Sequence, residues 1–342
     1  MPSMPQRMVL TKAGGLDAIR VEGFEPTTPG PREVLIEVAF AGVNFADLLM
    51  RLGFYQPRPP YPFTPGYEVS GIIAAIGAEV KGLAVGDRVV AAMSNGGQAS
   101  HVVTSTDRTV RLPDDVSLET AAAMPVTYLT AHHMLHHLGH LRAEDRVLIH
   151  GGGGGVGTAA LQLCRWAGVT EVWATASAPK ADIIRSLGGR PIDRHAEDFV
   201  EVVRGATDGQ GVDHILDPIG GDHIARSLSV LREGGRLYAF GFSSAAPRAR
   251  RTPLRSLLAW RRRTRVDPYR LMMRNRAIYG VHMGTWSNDG ILLPQLEHII
   301  EGLVEGALEP VIDSILPLAE AAEAHAHLHS GANVGKVLLS MS

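Results

Sequence analysis

One stretch constrains this chain more than any other. Val147-Leu148-Ile149-His150 runs into five consecutive glycines, Gly151 to Gly155, followed by Val156 and Gly157. A short apolar strand thus enters a loop without side chains, and Thr158 to Cys164 opens a helix. Gly152, Gly154 and Gly157 satisfy G-x-G-x-x-G, whose glycines allow a tight turn, close approach of backbone to a pyrophosphate, and tight packing of helix on strand. The free N–H groups of the helix start would hold the anion. Five glycines in a row fit several registers, so the strand before and the helix after carry the reading.

The 342 residues suffice for about two domains with a large core. A formal net charge of −2 argues against a nucleic-acid binder. No run of eighteen apolar residues occurs, and Met1 to Arg7 lacks an apolar signal core, so the expected location is cytoplasmic. The single cysteine, Cys164, excludes an intramolecular disulfide and any multi-cysteine zinc site, and reads as a small core residue.

The first 120 residues read as short strands and turns. Val34 to Phe40, Gly71 to Gly77 and Asp87 to Ala92 are apolar or alternating and bounded by Gly, Pro or Asp. Between them sit a helical stretch, Ala46 to Leu52, and a proline-rich loop, Gln56 to Pro65. From Ala121 strands and helices alternate. A helix from Tyr128 to Leu138 precedes strand Val147 to His150; then come strand Glu171 to Ala176, helix Lys180 to Leu187, strand His214 to Asp217, helix Asp222 to Leu231 and strand Arg236 to Phe240. Ala277 to Val281 reads as a further strand. That order implies a doubly wound parallel sheet. The tail, with helices Leu293 to Glu305 and Ala319 to His329 and strands Val311 to Leu316 and Lys336 to Leu339, is too small to bury its own core and is expected to return to the first domain.

Ala41 to Asp47, Arg51 to Tyr55, Pro65 to Gly71, Gly86 to Val89, Ala121 to Ala131, the glycine loop and Gly335-Lys336-Val337 together resemble the medium-chain dehydrogenase/reductases, within them the zinc-independent quinone oxidoreductases. Asp267-Pro268, Leu271-Met272, Asn275 to Ala277 and Gly280 to Gly284 look like the branch of the synaptic vesicle membrane protein homologues. The likeness covers nearly the whole chain in order. The roughly 120 residues before the nucleotide loop set it apart from short-chain dehydrogenases, whose loop is N-terminal. The resemblance implies an α/β chain: a GroES-like β-rich catalytic domain (residues 1–124 and 285–342) and a Rossmann domain (residues 125–284). It also implies a homodimer joined through sheet edges near Ala277 to Val281.

Zinc-dependent relatives hold the metal through a cysteine and a histidine at the positions matching Asn44 and Tyr67, and neither Asn nor Tyr is a usual zinc ligand. Without a Lewis acid, the chemistry shifts to reducing an already electrophilic quinone or α,β-unsaturated carbonyl. The resemblance places Asn44, Asp47 and Tyr55 beside the nicotinamide. Asn44 would polarise a carbonyl; Tyr55 is either a proton donor or an aromatic plug. Asp47 joins the chemistry, caps the short helix or pairs with Arg51 at i+4. Thr130 is placed on the nicotinamide side, and Asn333 and Lys336 close over the cofactor. Gly152, Gly154, Gly155, Val156 and Gly157 would cradle the pyrophosphate, and Gly241 and Phe242 are further expected cofactor contacts.

No carboxylate ends the strand Glu171 to Ala176, where an NAD enzyme would carry one. Ser177 and Lys180 match positions that bind the 2′-phosphate, and Arg194 stands where relatives often have tyrosine, so NADPH is the expected cofactor. The rival class keeps the fold and nucleotide site in a non-redox, membrane- or carrier-associated protein.

His132, His136 and His140 recur at i, i+4, i+8, and His133 and His137 form a second pair; these read as a polar helix face rather than a metal site. His325, His327 and His329 alternate two apart and take no role. Eleven arginines lie between Arg248 and Arg276, interleaved with Leu254, Leu257, Leu258 and Trp260. Three readings stand: attachment to an anionic membrane, a landing strip for an acidic carrier protein or coenzyme A phosphate, or a solvated basic face.

Overall fold

The computed structural model describes residues 4–245, 264–286 and 289–341. The arginine-rich stretch as far as Arg263 lies outside them. The described residues divide into two compact units. One runs to Leu129 and resumes at Gly284; the other extends from Thr130 to Met283.

The first unit is built on β3 (Glu33–Val43), eleven residues whose buried positions Val34, Ile36 and Val38 alternate as a half-buried strand requires. It is antiparallel to β4 (Glu68–Ile76), to β6 (His101–Ser105) and to β15 (Lys336–Ser340). With β5 (Arg88–Ala92), β7 (Thr109–Arg111) and β14 (Ile312–Pro317) they form a seven-stranded sheet ordered β14-β15-β3-β4-β5-β7, β6 pairing β3. The tail does return to this domain, as the sequence implied: Val337 to Ser340 pair with Val43 to Phe40. A hairpin of β1 (Gln6–Leu10) and β2 (Ile19–Gly23) completes the unit. Its core contains Met8, Leu10, Val43, Met50 and Val337 on one side and Ile36, Val69, Ile73 and Val89 on the other.

The second unit is a six-stranded parallel sheet. Its strands are β8 (Arg146–His150), β9 (Glu171–Ala176), β10 (Arg190–Asp193), β11 (Val212–Asp217), β12 (Leu231–Ala239) and β13 (Ala277–Gly280). Spatially they run β10-β9-β8-β11-β12-β13, so the chain order within the unit is 3-2-1-4-5-6, the Rossmann arrangement. The order reverses between β8 and β11, where such sheets bind ligands beyond their carboxyl ends.

The structure corrects several element boundaries. The helix read from Tyr128 to Leu138 begins at Pro125, a residue suited to a first helical position, and widens into a π-helix over His133–Leu138. The stretch read as a helix from Lys180 is a 3-10 turn, Ala178–Lys180, followed by an α-helix over Ala181–Ser186. The strand β10 and the helix Phe199–Ala206 went unread. β10 has four residues with Pro191 among them, too short for a period, and the helix is only eight residues, capped by Asp198 through Val200 N–H at 2.8 Å. Among the described residues no helix is long and apolar enough to cross a membrane.

Candidate functional site

The register of the first unit assembles a buried polar cluster. In the β15–β3 ladder Val337 faces Val43, so one step further Lys336 comes opposite Asn44. In the β3–β4 ladder Ala41 faces Val69, which brings Glu68 opposite Gly42. A Cβ at position 42 would stand 2.1 Å from Glu68 Oε1, so only glycine leaves room for that carboxylate. Lys336 Nζ donates to Asn44 Oδ1 at 2.6 Å and forms an ion pair with Glu68. Asn44 Nδ2 donates to Glu68 Oε1 at 2.8 Å, and Val126 N–H donates to Glu68 Oε2 at 2.6 Å. Glu68 is fully buried, and Asn44 and Lys336 retain only 7 % and 3 % exposure. Burying an ion pair is tolerated where such bonds compensate the lost hydration.

Asn44 also starts the helix Phe45–Leu52, and Asp47 is its capping-box partner, accepting Asn44 N–H at 2.8 Å. Asp47 further accepts Gly66 N–H at 3.2 Å and Gln98 Nε2–H at 3.2 Å. Complete burial pushes the Asp47 carboxyl up to about 7, against the lowering pull of the Asn44 and Gly66 amides and of Lys336. Of the alternatives for Asp47, the helix cap forms and the pair with Arg51 does not. Asp47 turns inward to the amides, while the Arg51 guanidinium donates to Gly14 O at 3.1 Å and meets His329 Nδ1 at 3.4 Å.

Tyr55 packs edge-to-face on Tyr67, ring centroids 6.3 Å apart, and their hydroxyls are hydrogen-bonded. Burial pushes both phenols up, Tyr55 being partly drawn back by the bond from Tyr67, so both keep their protons at neutral pH. Tyr55 is only partly buried against the core around Met50 and Phe63, compatible with both of its readings. Asn333 donates its amide to Gly335 O at 2.9 Å within its own loop.

In the second unit the glycine loop follows β8 and leads into the helix Gly155–Trp166, with Gly154 at its N-cap. A Cβ on Gly152 would meet Ala174 Cβ at 2.5 Å, and one on Gly157 would meet Gly151 O at 2.3 Å. Gly154 has nothing nearer than 3.4 Å, so the fold does not require glycine there; the open side is where a ligand backbone could approach. The first-turn amides of Gly155, Val156 and Gly157 have no intrahelical acceptor. Lys180 lies across the loop, since a Cβ on Gly153 would meet its Cδ at 2.6 Å. Asp193 pairs with Ala176, and Arg194 N–H donates to Ala176 O at 2.9 Å, so Arg194 and Ser177 leave adjoining strand ends beside Lys180. Arg194 is exposed, its Nε donating to His195 at 3.1 Å. Gly241 and Phe242 pack on the loop after β11, a Cβ on Gly241 meeting Pro218 O at 2.6 Å, and Thr130 is buried in this unit.

Beneath that loop lies a cluster the sequence reading missed. His150, Asp217 and His223 bring three ligand-type atoms within 4.8 Å of one another. Ser227 Oγ sits among them, 3.2 Å from His150 Nε2 and donating to Asp217 Oδ2 at 2.9 Å. His223 Nδ1 bonds Asp217 Oδ2 at 2.9 Å, His150 Nδ1 bonds Thr175 Oγ1 at 3.1 Å, and Asp217 Oδ1 takes the N–H groups of Ile219 and Gly220. Burial lowers His150, and the hydrogen bond from His223 holds Asp217 low against its own burial. The cluster is a hydrogen-bond network tying β8 and β9 to the loop after β11. The long helix does not present its histidines as one solvated face: His132 and His133 are buried, stacked on His136 and His137 at centroid distances of 4.8 and 4.9 Å.

Glu68 is the other residue missed. Its only sequence signal was its place beside Tyr67 in the Pro65 to Gly71 motif.

Residues 30–114 match the family described as alcohol dehydrogenase GroES-like domain, and residues 188–339 the one described as zinc-binding dehydrogenase. The synaptic vesicle membrane protein VAT-1 homolog of Rattus norvegicus is 34% identical over 336 residues, covering 97% of this chain and 83% of that protein. The structure of the human VAT-1 homolog-like protein superposes with a TM-score of 0.86 at 32% identity, covering 99% of each chain. Escherichia coli quinone oxidoreductase, solved in complex with NADPH, superposes with a TM-score of 0.83 at 27% identity over 98% of this chain and 99% of that one. The chain belongs to the medium-chain dehydrogenase/reductase superfamily of oxidoreductases, in the branch of the VAT-1 homologues.

Proposed function

We propose that this chain is a zinc-independent, NADPH-dependent reductase of quinones or α,β-unsaturated carbonyls. The carrying observation is the loop: glycines required at 152 and 157, an unobstructed glycine at 154, and Lys180 lying across Gly153 beside the strand ends that bear Ser177 and Arg194. That set supports a dinucleotide with a 2′-phosphate, in keeping with the NADPH bound by the E. coli relative. When bound, NADPH supplies hydride, two electrons and one hydrogen nucleus, so the acceptor needs only one further proton.

The first-unit cluster suits that remaining task. Asn44 offers an amide N–H to a carbonyl oxygen on which negative charge develops, and Tyr55, protonated at neutral pH, is the proton donor. Zinc independence is supported by the donor chemistry. Asn44 donates its amide N–H to Glu68 and accepts a hydrogen bond from Lys336, and the Glu68 carboxylate is committed to Lys336, Asn44 and Val126. An ammonium already supplies the positive charge in that cluster.

The test follows the reduced-nicotinamide absorbance with a panel of quinones and enones, before and after chelator treatment. Acceptor-dependent loss of NADPH signal that survives chelation is expected. NADPH binding with no acceptor consumed would sink the redox reading and favour a non-redox role for the same nucleotide site.

A further inference from the structure

We propose that Glu68 and Lys336 are positioning residues that lock the Asn44 amide in one orientation, so that its remaining Nδ2 hydrogen is held as a donor to the substrate's carbonyl oxygen. The inference deepens the reductase reading and rests on it for the substrate part.

An asparagine amide has two ends that differ only in what they donate and accept, and rotating it by half a turn exchanges them. At Asn44 the two neighbours are chemically opposite. Lys336 is a donor with no lone pair, and it faces Oδ1 at 2.6 Å. The Glu68 carboxylate only accepts, and it faces Nδ2 at 2.8 Å. A flipped amide would set N–H against ammonium and carbonyl oxygen against carboxylate, replacing two charge-assisted bonds by two repulsions in a buried place. Each guide is itself anchored: Glu68 by Val126 N–H and by the space at Gly42, Lys336 by β15 pairing and by Gly335. Gly335 has φ +80°, and a Cβ there would stand 2.2 Å from Val311 O. Nδ2 carries two hydrogens and Glu68 takes one; among the described residues the other has no protein acceptor.

This assignment differs from one in which Lys336 serves by touching the cofactor, because the residue is only 3 % exposed and its ammonium is already bonded twice.

The deciding experiment moves the carboxylate. Asn44→Asp alone places two carboxylates face to face and is expected to lower the melting temperature markedly. Asn44→Asp with Glu68→Gln restores one acidic and one amide group beside Lys336 and is expected to recover most of that loss, with NADPH affinity within about twofold of wild type by fluorescence titration. It has no amide hydrogen at position 44, so kcat is expected to stay down by about 100-fold, the usual cost of deleting one oxyanion donor. A double variant no more stable than Asn44→Asp overturns the clamp, and this readout holds whether or not the protein reduces anything. A double variant that regains stability together with wild-type kcat overturns the donor role. Glu68→Gln alone, which removes one of the two guides and leaves Lys336, is expected to bind NADPH normally and lose part of kcat; weakened NADPH binding would instead assign the cluster to the cofactor.

Discussion

The two candidate sites are built from opposite materials. The nucleotide loop is made of backbone, with glycines where a side chain would collide or block approach, and a single lysine lying over it. The first-unit cluster is made of side chains, four ionisable or amide groups buried together from positions as distant in sequence as 44 and 336. A backbone site fails when a Cβ is added, whereas a charged side-chain site fails when a partner is taken away. The two modes of failure differ in size and in what they leave intact.

Lys336→Met is expected to have the largest effect. It leaves the Glu68 carboxylate buried with only the Asn44 and Val126 N–H groups, and removing one partner of a buried pair costs about 3–5 kcal/mol. Urea unfolding measures it. A loss near zero would show the cluster to be hydrated and the contrast between the sites to be false.

Gly157→Ala comes next. Its Cβ would stand 2.3 Å from the Gly151 carbonyl oxygen and 2.6 Å from Gly152 Cα, both backbone and unable to swing aside. Overpacking of this kind costs about 1–3 kcal/mol. Because the displaced atoms are the loop itself, NADPH affinity is expected to fall more than stability does, by at least about tenfold in a fluorescence titration. Gly154→Ala sharpens the comparison: its nearest protein atom is 3.4 Å away, so the fold should be unaffected while NADPH binding drops. Equal affinity in wild type and Gly154→Ala would remove the loop's open side from the nucleotide site.

The same contrast explains what could be read from the sequence. Gly152, Gly154 and Gly157 announce their roles because a backbone site is written in consecutive residues with a fixed spacing. The alternation of strands and helices from Val147 to Phe240 is legible for the same reason, as local periodicity. The clamp on Asn44 was not legible. Its geometry depends on two strand registers, β3 with β4 and β3 with β15, and a register is a property of the folded sheet. The resemblance sets Lys336 over the cofactor and says nothing of its hydrogen-bond partners within the protein, which lie 268 and 292 positions away. The hub of His150, Asp217, His223 and Ser227 escaped similarly, being gathered from the ends of β8 and β11 and the helix His223–Ser229.

Titration separates a charged site from a backbone one. Asp47 is raised to about 7 from an unfolded value near 4, so its contribution to stability is fully present below about pH 4 and is lost as pH rises through about 7, at up to about 1.4 kcal/mol per unit. His325, buried and lowered to about 3, has the opposite sign: its contribution is complete above about pH 6.5 and is lost as pH falls toward 3. Subtracting the stability–pH curve of Asp47→Asn from that of wild type isolates the first, and His325→Leu isolates the second. The Asp47 difference curve is expected to slope downward from pH 4 to 7. A flat curve would mean that the carboxyl is solvated and ionised throughout.

The smallest effect belongs to the one side chain lying over the backbone site. Lys180 borders the loop through its aliphatic stem over Gly153, which sets it beside the ends of β9 and β10. Lys180→Ala removes one charge from a half-buried place, where a hydrogen bond to a charged group is worth about 1.5–3 kcal/mol before salt screening. NADPH is therefore expected to bind about tenfold more weakly, with NADH affinity unchanged because it lacks the 2′-phosphate. Raising the salt concentration should shrink the difference between wild type and variant for NADPH alone. Equal weakening of both nucleotides would place Lys180 on the shared pyrophosphate, and the choice between the two cofactors would then rest on Ser177 and Arg194.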